Sequence, residues 1–134
     1  MKVVLDTNVF MSGIFFAGPP YSILDAWRHG RVSLVVSPEI MDEYRRVAHE
    51  LAAEFQGIDP GPALELVAIH AMVVDAPPLP EPVCTDHSDD MFLACAVASG
   101  TKVIASGDKA LLNTSGYKGI QVLTPRQFRD KYLK

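Results

Sequence analysis

The sequence has 134 residues, 49% of them apolar and 21% charged, which is enough for one buried core and too short for two ordinary domains. This composition excludes a disordered chain, and a net charge of −4 argues against a basic nucleic-acid-binding domain. No apolar run reaches membrane-spanning length and no signal peptide is recognised, so we expect one cytoplasmic domain over 1–134.

The pattern of apolar runs and helix signals predicts strands that alternate with helices. Ser37, Pro38 and Glu39 are typical of a helix start, and Gly30 and Gly100 are typical of helix ends. In chain order, we predict strand 2–5, helix 21–29, strand 32–36, helix 38–51, helix 60–68, strand 71–74, helix 89–99, strand 102–105, helix 108–112, strand 120–123 and helix 125–132.

This order predicts an α/β fold in which a mostly parallel sheet lies between two layers of helices. Right-handed crossovers bring the carboxyl ends of the strands to one edge, where open sheets of this kind bind ligands. We interpret residues 15–21, which contain a Gly-Pro-Pro triplet, as a loop, and residues 76–82, which contain four prolines, as an extended linker.

Five acidic residues stand where predicted elements end or pack. Asp6 and Asp108 follow strands, and Asp89 and Asp90 begin a helix. Glu43 lies on the apolar side of its own helix. A carboxylate is costly to bury unless a cation or hydrogen-bond donors compensate its charge. Convergence of these acids at one sheet edge therefore indicates a divalent metal site.

Each acid taken alone also has an ordinary structural interpretation. Asp6 suits a turn stabilised by its own side chain, and Glu43 suits an ion pair with Arg46 or Arg31. Asp108 suits a helix cap, and acids in the first turn of any helix are favoured by the helix dipole. The metal site is favoured because all of these positions fall at the same edge.

The chemistry of an acidic site points to hard cations. Mg²⁺ and Mn²⁺ prefer oxygen ligands, and a pair of such ions can promote hydrolysis of a phosphodiester. Asp89 shares a helix stripe with Phe92 and Leu93, which favours it over Asp90 as the inward ligand. No His, Ser or Cys triad is evident, so we predict a metal-dependent enzyme without covalent catalysis.

Four segments in order carry a resemblance to a known family, namely residues 4–9, 37–43, 86–96 and 106–109. Together they resemble the PIN-domain nucleases, and in particular the VapC-type ribonucleases of toxin–antitoxin pairs, over essentially the whole chain. The resemblance implies a parallel sheet of five strands, an acidic pocket that binds Mg²⁺ or Mn²⁺, and cleavage of RNA.

By position, the resemblance also implies which residues form the site. The implied catalytic and metal-binding acids are Asp6, Glu43, Asp89 and Asp108, with Asp90 as an assisting metal residue. The polar residues implied to support the pocket are Thr7, Asn8 and Ser106. His87 and Ser88 depart from the residue types common at their positions, which affects only the rim.

The implied partners are an RNA substrate, a cognate antitoxin protein and a second copy of the chain in a homodimer. Three alternatives stay open: a catalytically weak PIN-like module that binds RNA or protein, a receiver-like signalling domain, and a phosphatase of the haloacid-dehalogenase kind. The last of these expects a second Asp two residues after Asp6, where Asn8 stands.

Overall fold

The computed structural model describes all residues, 1–134. The five strands are β1 (Lys2–Leu5), β2 (Ser33–Val36), β3 (Met72–Val73), β4 (Val103–Ala105) and β5 (Gln121–Leu123). The seven α-helices are α1 (Thr7–Phe15), α2 (Pro19–Arg28), α3 (Pro38–Glu54), α4 (Gly61–His70), α5 (Asp90–Ser99), α6 (Lys109–Leu112) and α7 (Pro125–Phe128). Short 3₁₀ turns span His87–Asp89 and Tyr117–Gly119, and a π-helical turn spans Arg129–Leu133. None of the helices combines the length and apolar character needed to cross a bilayer.

All five predicted strands are present, in the order β3-β2-β1-β4-β5, and every neighbouring pair is parallel. Helix α5 packs against β1, β2 and β4, while α1, α2 and α7 form a second packed group. The predicted three-layer α/β/α fold is therefore confirmed. Leu5 is in register with Ala105, so β1 and β4 end side by side. Asp6 and Ser106, the next residues, consequently begin at the same level of the sheet edge.

Helix α1 is absent from the sequence-based prediction. It starts directly after Asp6, whose Oδ1 accepts hydrogen bonds from the amides of Asn8 and Val9, so this segment caps a helix and is not an isolated turn. Six of the nine residues of α1 are buried. A helix buried on most sides has no polar stripe, and the periodic signal used for prediction is then lost. The predicted loop at 15–21 is also too long, because α2 begins at Pro19.

Tyr44 ties α3 to the end of β1. Its fully buried ring stacks on Phe10 with centroids 4.3 Å apart, and its hydroxyl donates a 2.5 Å hydrogen bond to the carbonyl oxygen of Leu5. An aromatic pair of this kind contributes about 0.5–1.5 kcal/mol beyond the area that it buries. Because Leu5 precedes Asp6, these contacts fix α3, and with it Glu43, against the sheet edge.

Gly13 lies where α1 and α2 approach closely, and a side chain does not fit there. A Cβ at Gly13 would lie 2.6 Å from Leu24 Cδ1 and 2.9 Å from the carbonyl oxygen of Pro20. We expect Gly13→Ala to lower the free energy of unfolding by about 1–3 kcal/mol, because overpacking outweighs the roughly 1 kcal/mol gain in helix propensity. Urea denaturation measures the change. Gly107→Ala, whose Cβ would meet no atom within 4 Å, is the control; equal destabilisation of both variants would contradict the packing argument.

Candidate active site

A cleft of about 160 Å³ opens at the carboxyl edge of the sheet. It brings together the four acids predicted to be catalytic, which come from four separate segments of the chain. The residues that line it are Asp6, Thr7, Asn8, Glu43, Val47, Asp89, Phe92 and Asp108. Six of these eight side chains are polar, and none is basic, so the cleft concentrates negative charge.

Asp6 is the most deeply placed of the four acids, with only 4% of its surface exposed. Its Oδ1 accepts the amide of Asn8 at 2.7 Å and the amide of Val9 at 3.3 Å, and its Oδ2 accepts the hydroxyl of Ser106. Burial raises the pKa of Asp6, the three hydrogen bonds oppose this shift, and the charge of Asp108 adds to it. The carboxylate is therefore held rigidly at a position where additional positive charge would stabilise it.

Ser106 joins the two strand ends that carry acids. Its buried hydroxyl donates to Asp6 and accepts the amide of Asp108 at 3.0 Å. Asp108 in turn caps α6, since its Oδ1 accepts the amide of Ala110 at 3.0 Å. The ordinary role foreseen for Asp108 thus exists alongside its position in the cleft, and Ser106 acts as the support that fixes both acids.

Asp89 has the least compensated charge in the site. It ends the 3₁₀ turn that precedes α5, and its Oδ2 is buried without any hydrogen-bond partner. Burial, and then the neighbouring Asp108 carboxylate, raise the pKa of Asp89 from 3.8 to about 7. A buried polar atom that lacks a partner normally costs stability, and in native proteins it often marks a functional position.

Glu43 is held at the rim of the cleft by two contacts. Its Oε2 accepts a 2.6 Å hydrogen bond from the Thr7 hydroxyl, and its Oε1 lies 3.1 Å from Nη2 of Arg46. The Glu43 side chain is 26% exposed, which agrees with its predicted place on the apolar side of α3. The ion pair with Arg46, one of the alternatives considered from the sequence, is also present. Thr7 and Glu43 are 36 residues apart, and no local sequence pattern indicates their contact.

Asp90 is turned away from the other acids. Its carboxylate accepts the amides of Cys84 at 2.7 Å and Val83 at 3.2 Å, and it lines a separate cavity of about 320 Å³ beside the proline-rich segment. Burial opposes ionisation of Asp90, but the hydrogen bonds from Cys84 and Val83 lower its pKa overall. Asp89 therefore lies in the cleft, whereas Asp90 lies outside it and holds residues 83–84 against the start of α5.

The donor set of the cleft fits a hard divalent cation. All of its charged groups are carboxylates, which Mg²⁺ and Mn²⁺ prefer, and the unpaired Oδ2 of Asp89 is the kind of buried oxygen that an ion would satisfy. No three His, Cys, Asp or Glu side chains stand close enough together to enclose an ion unaided. Binding would therefore require side-chain rotation, with water completing the ligand set.

Two apolar residues of the cleft were not predicted as parts of the site. Val47 lies one helical turn after Glu43, and Phe92 lies three residues after Asp89, so each flanks an acid on its own helix face. This spacing was the signal available in the sequence, although it also describes ordinary core positions. Their side chains give the acidic cleft a partly apolar wall.

Comparison with known proteins agrees with this geometry. The family model described as PIN domain matches residues 2–110. Among solved structures, VapBC2 from Rickettsia felis bound to a DNA fragment from their promoter is similar, with a TM-score of 0.57, 10% identity, and coverage of 92% of this chain and 98% of that chain. FitAcB from Neisseria gonorrhoeae is similar with a TM-score of 0.52, 20% identity and the same coverage of both chains.

A search of curated proteins gives no significant match. The two solved structures show that the likeness extends to the whole fold, and the family model spans most of the sequence, including all four acids of the cleft. The chain therefore belongs to the PIN-domain family, a family of nucleases.

Proposed function

We propose that this protein is a metal-dependent endoribonuclease that hydrolyses RNA phosphodiester bonds with Mg²⁺ or Mn²⁺. The observation that carries the proposal is the buried and unpaired Oδ2 of Asp89 in a cleft shared with three other carboxylates. Such an arrangement is unfavourable by itself, because like charges and desolvation oppose ionisation. PIN-domain nucleases generally use divalent cations. A bound divalent cation would offset the repulsion between the carboxylates and the loss of their hydration, so these groups would bind it favourably.

The residues take different roles in this proposal. Asp6, Asp89 and Asp108 would hold the ion, with Asp6 as the central ligand because its orientation is fixed by three hydrogen bonds. Glu43 has one oxygen on Thr7 and the other on Arg46. This arrangement favours a role in ligating the ion directly or in orienting the attacking water.

The chemistry requires attack by water in line with the leaving oxygen of the phosphodiester. A divalent ion bound to these acids would supply the positive charge that polarises the phosphate and activates water. The protein's own contribution is to keep the acids in place before substrate arrives, which Ser106 and the start of α1 accomplish for Asp6. Val47 and Phe92 form an apolar wall on one side of the cleft.

The biological setting that we propose is a toxin–antitoxin pair. The sequence resemblance to VapC-type ribonucleases and the structural likeness to VapBC2 and FitAcB support it. The proposal includes an antitoxin partner, a homodimer and a cytoplasmic location, as expected from the sequence.

A phosphotransfer role is disfavoured by the environment of Asp6. A phosphoacceptor or nucleophilic Asp attacks phosphorus with a free carboxylate oxygen, whereas both oxygens of Asp6 accept hydrogen bonds, which suits a fixed ligand better than a nucleophile. The match to the PIN-domain family model also separates the chain from receiver and phosphatase folds.

The proposal is tested with the purified protein and an end-labelled single-stranded RNA. We expect endonucleolytic cleavage in Mn²⁺ or Mg²⁺ and none in EDTA, because the acids alone cannot offset the charge of the phosphate. Calorimetric titration with Mn²⁺ supplies a second measurement that does not depend on finding a suitable RNA. Binding of Mn²⁺ without cleavage of a varied set of RNA molecules would instead favour the PIN-like binding module.

A further inference from the structure

The acidic cleft presents an electrostatic problem for the substrate proposed above. RNA is a polyanion, and none of the residues that line the cleft is basic. Among the ion pairs of the molecule, the pair between Arg46 and Glu43 is the only one that involves an acid of the cleft. The guanidinium of Arg46 therefore lies beside the cleft, outside its lining and 3.1 Å from the carboxylate of Glu43, which lines it.

We propose that Arg46 binds an RNA phosphate next to the one that is cleaved, and so determines the affinity of the enzyme for its substrate. The inference rests on the proposed nuclease function and adds to it a substrate-binding residue. A guanidinium is planar, permanently charged, and carries paired donors that match two oxygens of a phosphate.

The present partners of Arg46 can be exchanged at little cost. Nη2 lies 3.1 Å from Glu43 and Nη1 lies 3.0 Å from Glu50, and the side chain of Arg46 is 60% exposed. Exposed ion pairs of this kind contribute little to stability, since solvent screens them and ordering the side chains opposes them. A phosphate that enters the cleft can therefore replace one of the two carboxylates without a large rearrangement.

Glu43 does not depend on Arg46 for its position. Its other oxygen accepts the 2.6 Å hydrogen bond from the Thr7 hydroxyl, and Thr7 is a buried residue of α1. Arg46 can therefore leave Glu43 for a phosphate while Glu43 stays at the rim. This separation predicts that loss of Arg46 weakens substrate binding and has little influence on the chemical step.

Arg45 provides a matched control on the same helix. It has the same charge and a similar exposure of 55%, but it pairs with Asp42 at 3.6 Å and lines a different cavity with Pro38, Met41 and Val73. Adjacent residues of a helix point about 100° apart, so Arg45 and Arg46 face different surfaces. Any general effect of lost positive charge on RNA binding should appear equally in both variants.

The first test compares Arg46→Gln and Arg45→Gln with wild type on a labelled single-stranded RNA in Mn²⁺. We expect Arg46→Gln to raise KM roughly tenfold, in keeping with the loss of a charge-assisted contact, with kcat changed by less than about threefold. Arg45→Gln should leave both parameters near their wild-type values. A fall in kcat with unchanged KM would show that Arg46 only positions Glu43, and would overturn the proposal.

The second test measures RNA binding without cleavage, by fluorescence anisotropy of the same RNA with Asp6→Asn as the background. Adding Arg46→Gln should weaken binding and reduce the slope of log Kd against log salt by about 0.7, the value for one phosphate contact on a single strand. Equal slopes for Arg46→Gln and Arg45→Gln would overturn the proposal. Because this readout needs no turnover, it separates a wrong assignment of Arg46 from a wrong assignment of nuclease activity.

Discussion

Replacing Asp6 with Asn is expected to lower the rate of RNA cleavage in Mn²⁺ by about 100-fold or more while leaving the fold intact. Asn has nearly the same shape, so its oxygen can still accept the amides of Asn8 and Val9 that begin α1. What disappears is a negative charge that is already fixed in place before an ion binds. Cleavage assays measure the expected fall in rate, and calorimetry should show weakened Mn²⁺ binding.

Asp42→Asn is the matched control for this experiment. Asp42 lies on α3 with a side chain that is 80% exposed, and its partner is Arg45, outside the cleft. Loss of cleavage in both variants would indicate a general effect of charge and not a role for Asp6. Equal cleavage by wild type and Asp6→Asn would reject the proposed role of Asp6 outright, and the central assumption about the metal site would fail with it.

Asp89→Asn is expected to remove activity and, in EDTA at about pH 8, to raise the free energy of unfolding. Burial and the Asp108 carboxylate raise the native pKa of Asp89 from 3.8 to about 7. Ionisation of the native protein therefore lowers stability as the pH rises from about 4 to about 7, and the full cost is present above that range. Because Asp89 is partly exposed, solvent screening limits the gain from substitution to about 1–2 kcal/mol.

Urea denaturation at about pH 5 and about pH 8 checks the sign, since the advantage of Asp89→Asn should shrink at the lower pH. In excess Mn²⁺, wild type should instead be more stable than Asp89→Asn, because an ion that binds the native wild type stabilises it. Asp90→Asn is the adjacent control. Its carboxylate accepts the amides of Val83 and Cys84, so this substitution should lower stability in both conditions. Stabilisation by both substitutions would contradict a specific role for Asp89.

The strands could be predicted from the sequence because their signals are local. The run Val3, Val4 and Leu5 is buried throughout, as expected for a central strand of a parallel sheet. Once strands alternate with helices, topology alone brings Asp6 and Asp108 to the same edge. The resemblance to the PIN-domain nucleases implies these two acids together with Glu43 and Asp89. All four acids line one cleft in the structure.

The contacts that organise the cleft were beyond sequence reasoning because they join distant segments. Ser106 and Asp6 are 100 residues apart, and Thr7 and Glu43 are 36 apart. Such pairings depend on sheet register and helix rotation, which local patterns do not determine. Helix α1 was missed for a different reason, since its mostly buried surface leaves no amphipathic pattern to detect.

The two adjacent acids at the start of α5 have a consequence for how this protein can vary. Asp89 lines the cleft, while Asp90 accepts hydrogen bonds from the amides of residues 83–84. The two neighbouring side chains therefore have different roles. Relative to residues 83–84, inserting one residue before position 89 would move Asp89 into the position of Asp90, and deleting one would move Asp90 into the position of Asp89. Natural variants should thus tolerate many substitutions in this stretch but hardly any change in its length.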